Sequence, residues 1–145
     1  MIWYDLYHVY VEWMQKQAKR AEKTLRTRTP LGKLRILHPE YTYSTSMNTP
    51  VQGGASEIML AAAWYITESL LKTKLDGHLV NIVHDESITE THDDCIIDVA
   101  KIIKKSKEKA LLTVFPEATI LNLVEVGCGT SWLEAKGKDG IIQLK

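Results

Sequence analysis

The chain has 145 residues, 45% apolar and 25% charged, which is the composition of one soluble domain with a real hydrophobic core and excludes disordered, collagen-like and disulfide-scaffold classes. Eighteen Lys and Arg balance eighteen Asp and Glu, so the net charge of zero gives no argument for a polyanionic partner. Cys95 and Cys128 are the only cysteines and lack metal-ligand spacing, which fits a reducing cytosol.

The first residues show no basic stretch followed by an apolar one, and no run approaches eighteen apolar residues, so neither a signal peptide nor a membrane span is expected. Residues 3–24 read as an amphipathic helix with Leu6, Tyr10, Trp13, Met14 and Ala18 on its apolar stripe. Arg26 to Ile36, with Pro-Leu-Gly in the middle, has the pattern of a short β-hairpin. Residues 38–48 are rich in Ser, Thr and Tyr and read as a loop. A second helix is expected to start at Thr49-Pro50, because Pro is tolerated in a first turn, and to run to about Lys72.

Residues 78–84 and 87–91 are two β-like runs separated by Asp85-Glu86, a hairpin with an acidic tip. Two-residue hairpin loops favour Gly or Asn, since one or both central residues need positive φ, so an acidic pair there conflicts locally with the turn unless the loop is longer. Asp93-Asp94 then suit the first turn of a helix with Ile96, Ala100 and Ile103 at core spacing and Lys101, Lys104, Lys105, Lys107 and Lys109 on its wet side. A last strand is expected at residues 121–126, ending at Gly127-Cys-Gly, with one more β-like run at 140–144. The order of elements gives an α+β class with a mainly antiparallel sheet and long helices packed on it, as a single domain over residues 1–145.

The zero net charge is a cancellation. Residues 16–35 carry net +7, with Glu22 the only acid, and residues 76–98 carry net −7 with no Lys or Arg. Either block alone reads first as a solvated face.

Three constellations carry chemistry. Asn48-Thr-Pro-Val-Gln-Gly-Gly54 puts amides, which donate to and accept from base edges, ahead of glycines that admit a close backbone or duplex; the alternative is an Asn-capped helix beginning with Pro. Val83-His-Asp-Glu86 puts adjacent carboxylates on a turn, suited to Mg²⁺, a hard cation that takes oxygen ligands; the alternative is an exposed polar turn. A zinc site from His84 and His92 fails for want of further ligands. Val124-Glu-Val-Gly-Cys-Gly-Thr-Ser-Trp132 has the Gly-x-Gly of a phosphate cradle, but not the full pattern or a clear helix after it, so a tight turn with Trp132 packed back onto the sheet is the better reading.

Together and in this order these residues resemble the C-terminal part of the palm of family A DNA polymerases, the bacterial DNA polymerase I type. Asn48-Thr-Pro-x-Gln-Gly resembles the family's N-x-P-x-Q-G, Val83-His-Asp-Glu86 its motif C, and Val124-Glu-Val-Gly-x-Gly-x-x-Trp132 its terminal strand and turn. Thr29-Pro-Leu-Gly-Lys-Leu-Arg35 is similar to its T-x-x-G-R-x-R hairpin. The resemblance covers residues 4–133, leaving 134–145 as a tail.

The resemblance implies a palm-like fold, with Asp85 a catalytic metal carboxylate for Mg²⁺, an ion expected only with DNA, nucleotide and a partner that supplies motif A, Glu86 a supporting acid at the metal, and His84 near the primer terminus. It implies that Asn48 and Gln52 face the minor groove of primer–template DNA, and that Lys33 and Arg35 contact phosphates. Two positions depart from the family: Ser44 stands where Arg is usual, and Lys33 replaces the first hairpin Arg. Motif A, which brings a second carboxylate, and the fingers helix that grips the deoxynucleotide are both absent from these residues. The site is incomplete alone, because two-metal phosphoryl transfer draws carboxylates from two separated elements. The expected function is therefore a C-terminal fragment or subunit of a DNA-directed DNA polymerase, a nucleotidyltransferase of DNA replication completed by a separately encoded N-terminal part. The competing reading is a non-catalytic DNA-binding or self-assembling remnant, a homo-oligomer when isolated. The expected location is the cytoplasm of a bacterium or phage-infected cell, with an organelle as the alternative, and non-specific DNA binding by this chain alone is expected to be weak.

Overall fold

The computed structural model describes residues 2–121, 123–137, 140 and 142. It is α+β with antiparallel strand pairing, and among the described residues the strands form two separate two-stranded sheets. Two compact units make up the chain, Met1–Ala55 and Ser56–Lys145.

In the first unit the expected opening helix is two: α1 (Ile2–Leu6) and α2 (His8–Thr24), separated by Tyr7, whose φ of −109° and ψ of 32° leave the helical region. The stripe read from the sequence is only partly covered. Ala18 is buried and Trp13 half-buried, stacked on Tyr10 at 5.7 Å, whereas Leu6 is 67% exposed. Leu25 ends α2 in the left-handed region (φ 50°), where its N–H bonds the Ala21 carbonyl at 2.8 Å, and the chain turns into β1 (Arg26–Arg28), paired with β2 (Leu34–Ile36) as expected.

The expected loop at 38–48 is instead helical. A single 3-10 turn at Pro39–Tyr41 leads into α3 (Thr42–Thr73), and Pro50 lies inside that helix rather than in its first turn. The helix accommodates the hydroxyls of this poor helix-forming stretch by back-bonding: Ser46 Oγ donates to the Tyr43 carbonyl at 2.9 Å, and Thr49 Oγ1 to the Thr45 carbonyl at 2.7 Å, so these buried side chains are satisfied along the helix itself. Pro50 has no N–H for the Ser46 carbonyl four residues before it. The buried Thr27 hydroxyl of β1 donates to that carbonyl at 3.4 Å, so the polar group exposed by the proline is satisfied by the hairpin. Gly53 completes the fit. A Cβ there would collide with Thr29 Cγ2, so glycine is what lets the hairpin loop approach α3. The interior of this unit is accordingly small and hydroxylic: Ala18, Ala21, Thr27, Leu37, Thr42, Ser46 and Thr49.

The second unit has an apolar core. Ile66 and Leu70 from α3 meet Val99, Ala100 and Ile103 from α4 (Ile96–Val114), together with Val126. β3 (Gly77–Val83) and β4 (Glu86–Thr91) form the expected hairpin, with an extra residue at the register shift between Leu79 and Asn81, and Leu79 packs against the core. Asp93 and Asp94 sit in a 3-10 turn before α4; His92 caps it, its ring nitrogen accepting from the Asp94 N–H at 3.3 Å. No strand forms over the described residues 123–126. Only Gly127 is bridged, and the segment is tied to the tail by the Cys128 N–H to the Gly140 carbonyl (2.7 Å) and the Ile142 N–H to the Val126 carbonyl (2.8 Å). The rest of the β-like run expected at 140–144 lies outside the described residues. A short helix, α5 (Trp132–Ala135), follows the Gly-x-Gly turn, where no clear helix is expected from the sequence.

Candidate active site

The acidic hairpin tip is shifted by one residue from the sequence reading. Val83 pairs with Glu86, so His84 and Asp85 are the two loop residues and Glu86 is the first residue of β4. The local conflict expected of a glycine-free turn falls on His84, which takes φ 55°, a region His enters more readily than most residues. His84 and Asp85 are exposed, and Glu86 is half-buried.

Lys107 fixes this turn from below. Read from the sequence as part of the wet side of α4, it is half-buried, and its Nζ donates to the Asp85 backbone carbonyl at 3.1 Å. Burial pushes its amine below the ordinary lysine value, while the charges of Asp85 and Glu86 act in the opposite direction.

Glu86 is held from the other side by the C-terminal segment. Lys136 Nζ lies 2.7 Å from its Oε1, and the Trp132 indole N–H donates to its Oε2 at 3.1 Å. The hydrogen bond from Lys136 is the largest cause holding the Glu86 carboxyl below its usual value; desolvation opposes it, the Lys136 charge and the Trp132 N–H lower it further, and the Asp85 charge raises it. Lys136 also sits 5.0 Å from the centre of the Trp132 ring. The glycines of the Gly-x-Gly turn serve this packing: a Cβ on Gly127 would collide with the Ala135 carbonyl oxygen, and one on Gly129 would come within 2.6 Å of Glu134 Cβ. Trp132 therefore does fold back onto the hairpin. A cleft of about 1170 Å³ lies between β4, α4 and this segment, lined by Glu86, Ser87, Thr89, Lys107, Cys128 and Lys136, among others; Asp85 is outside its lining. Among the described residues no group of three or more His, Cys, Asp and Glu is placed to hold a metal ion.

In the first unit, Asn48 and Gln52 are exposed and one helical turn apart on α3, with Ser44 a further turn before them on the same face. Arg35 pairs across the hairpin with Thr27, and its Nη1 donates to Thr49 Oγ1 at 3.4 Å, so the guanidinium lies along α3. Lys33 is exposed in the hairpin loop, where its backbone N–H bonds Thr29 Oγ1 at 3.0 Å. Arg35, Asn48 and Gln52 are thus gathered by one hairpin and one helix, and Asp85 and Glu86 by another hairpin.

Sequence reasoning missed Lys107, Trp132 and Lys136 as members of the site. Trp132 carried a signal in its motif. Lys107 did not, since in a lysine-rich helix its inward turn depends on the packing angle of α4.

Residues 3–134 match the family model described as DNA polymerase family A. DNA polymerase I, thermostable, from Thermus thermophilus is 30% identical over 134 residues, spanning 86% of this chain and 15% of that protein. DNA polymerase I of Bacillus subtilis is 34% identical over 92 residues, 63% of this chain and 10% of that protein. Among solved structures, the POL domain of Pol1 from M. smegmatis, in complex with DNA primer-template and dNTP, is similar in fold, with a TM-score of 0.69 and 21% identity over 74% of this chain and 20% of that one. The chain thus spans between a tenth and a fifth of the length of these relatives. With its family model covering nearly all of it, the chain belongs to DNA polymerase family A.

Proposed function

We propose that this chain supplies the C-terminal palm portion of a DNA-directed DNA polymerase and that another polypeptide portion, carrying the remaining carboxylate and the nucleotide-gripping helix, completes the site. One observation carries the reading: a carboxylate, Asp85, stands exposed at the apex of a hairpin whose turn is tied to α4 by Lys107, within a chain whose family membership is independent of that geometry. Asp85 offers the hard oxygen donors that Mg²⁺ takes, and a single carboxylate leaves the other ligand positions to phosphates, water and carboxylates from elsewhere. When bound, Mg²⁺ stabilises the charge that develops in phosphoryl transfer. His84 lies beside Asp85, at the primer end.

Primer–template DNA and a deoxynucleotide are the corresponding partners. Asn48 and Gln52 reach minor-groove acceptors, which occupy equivalent places in every base pair, so they position the duplex without reading its sequence. Lys33 and Arg35 meet backbone phosphates.

The test is reconstitution. Mixing this chain with a family A polypeptide that ends before residue 3 of the match should give Mg²⁺-dependent nucleotide incorporation on a primed template that neither component gives alone. Absence of incorporation from a mixture shown to associate overturns the reading. A second reading, a self-assembling remnant, is favoured by the apolar side chains that α3 exposes, Leu60, Trp64 and Leu71 at 66%, 67% and 74%. Homo-oligomers in light scattering that persist when the second polypeptide is added are the outcome that selects it. Among the described residues no helix is long and apolar enough to cross a membrane.

A further inference from the structure

Glu86 stands next to the carboxylate assigned to metal, yet both of its oxygens are already engaged, Oε1 by Lys136 and Oε2 by Trp132. The two donors are four residues apart, so α5 and its C-cap bring both to the same side. The segment that carries them is built to hold that pose. Ser131 caps α5, its Oγ accepting from the Glu134 N–H at 3.3 Å, and Glu134 Oε2 in turn accepts from the Thr130 N–H (2.8 Å) and hydroxyl (2.6 Å). Gly127 and Gly129 remove the side chains that would keep Glu134 and Ala135 away. A cation approaching Glu86 would have to displace the Lys136 ammonium, and a second ammonium, that of Lys107, stands 3.1 Å from the backbone carbonyl of the neighbouring Asp85.

We propose that Glu86 is the acceptor on which the C-terminal segment, residues 128–136, docks, and that Asp85 is therefore the only metal-binding carboxylate at this turn. The first clause stands on the geometry alone; the second rests on the polymerase reading. In this arrangement Glu86 is a positioning residue. It joins residues 128–136 to the start of β4, while Lys107 ties the preceding residue, Asp85, to α4, so two successive residues of the turn are held from two different elements.

The experiment measures two things on the full chain and its variants: amide exchange by mass spectrometry over residues 128–136, and broadening of the amide resonances of His84, Asp85 and Glu86 by Mn²⁺ alone. Glu86→Ala should speed exchange across 128–136 by about three- to tenfold, the loss expected for one charge-assisted hydrogen bond and one partly exposed ion pair, and leave the Mn²⁺ broadening in place. Asp85→Asn should abolish the broadening and leave exchange over 128–136 unchanged. The double variant Trp132→Phe, Lys136→Ala should reproduce the exchange effect of Glu86→Ala without altering the hairpin, and Lys136→Arg should restore most of the protection. Unchanged exchange in both Glu86→Ala and the double variant overturns the docking role. Loss of Mn²⁺ broadening in Glu86→Ala overturns the assignment of metal to Asp85 alone. Absence of broadening in the unaltered chain overturns metal binding by Asp85 in the isolated chain and leaves the exchange result to decide the docking role.

Discussion

Asp85→Ala is expected to lower nucleotide incorporation by the reconstituted mixture by on the order of 10³-fold, or about 4 kcal/mol of transition-state stabilisation, the scale of removing one preorganised charge partner from a phosphoryl-transfer site. On the proposed function the loss should appear in the rate of incorporation at saturating nucleotide and template, because the carboxylate is assigned to charge that develops in the transition state and duplex binding to Asn48, Gln52, Lys33 and Arg35 on a different hairpin and helix. Asp85→Asn should be nearly as damaging. It keeps the size and the exposed position and removes only the anionic oxygen, so comparable losses would locate the effect in charge. The turn itself should survive either change, since Lys107 bonds the backbone carbonyl of residue 85 and His84 carries the positive φ. Primer–template affinity measured alongside should change little.

Ile66→Ala should destabilise the second unit by about 3–4 kcal/mol, measured by denaturant unfolding. Ile66 is wholly buried, the largest of the fully buried side chains among the described residues, and sits among Leu70, Val99, Ala100, Ile103 and Val126. Three elements meet at this point: α3, α4 and the segment leading to the C-terminal turn. A cavity here loosens the packing that sets how Lys107 and Trp132 reach the hairpin, so the stability loss should be accompanied by faster amide exchange at residues 84–87. Leu71→Ala on the same helix, 74% exposed, is the control and should cost less than about 0.5 kcal/mol.

The two hairpins and α4 were legible because their signals are local. Alternation across Pro-Leu-Gly located β1 and β2, and paired aspartates marked the entry to α4. The start of α3 was not legible, because Ser, Thr and Tyr at 42–49 favour loops by propensity, and their helical state depends on back-bonding hydroxyls and on a Thr27 hydroxyl nineteen residues away in sequence. Pro50 misled for the same reason: a proline inside a helix is tolerable only when something else serves the Ser46 carbonyl, and that partner is tertiary. The hairpin tip was misplaced by one residue because Asp-Glu looked like the loop, whereas the ladder ends at Val83 and Glu86 and puts the strain on His84.

The candidate site divides in the same way. Asp85, Glu86, Asn48, Gln52, Lys33 and Arg35 could be named from motifs, since each motif is contiguous. What surrounds them could not. Glu86 and Trp132 are 46 residues apart in sequence, and Asp85 and Lys107 are 22 apart, so neither pair falls within the span of about 11–18 residues over which periodicity is read. The opening charge balance also changes meaning. The acidic block from 76 to 98 is not left unopposed in space, because Lys107 and Lys136, from outside it, converge on its hairpin tip.

The most direct measurement of the central claim is metal-directed backbone cleavage in the reconstituted mixture. With primer–template and deoxynucleotide bound, Fe²⁺ replaces Mg²⁺, and ascorbate and peroxide generate radicals at the metal. Cleavage of this chain centred on residues 84–86, suppressed by excess Mg²⁺ and lost in Asp85→Ala, is the result predicted. Cleavage of this chain elsewhere, or at 84–86 with Asp85 replaced, would contradict the assignment of Asp85 as the carboxylate this chain contributes to the metal.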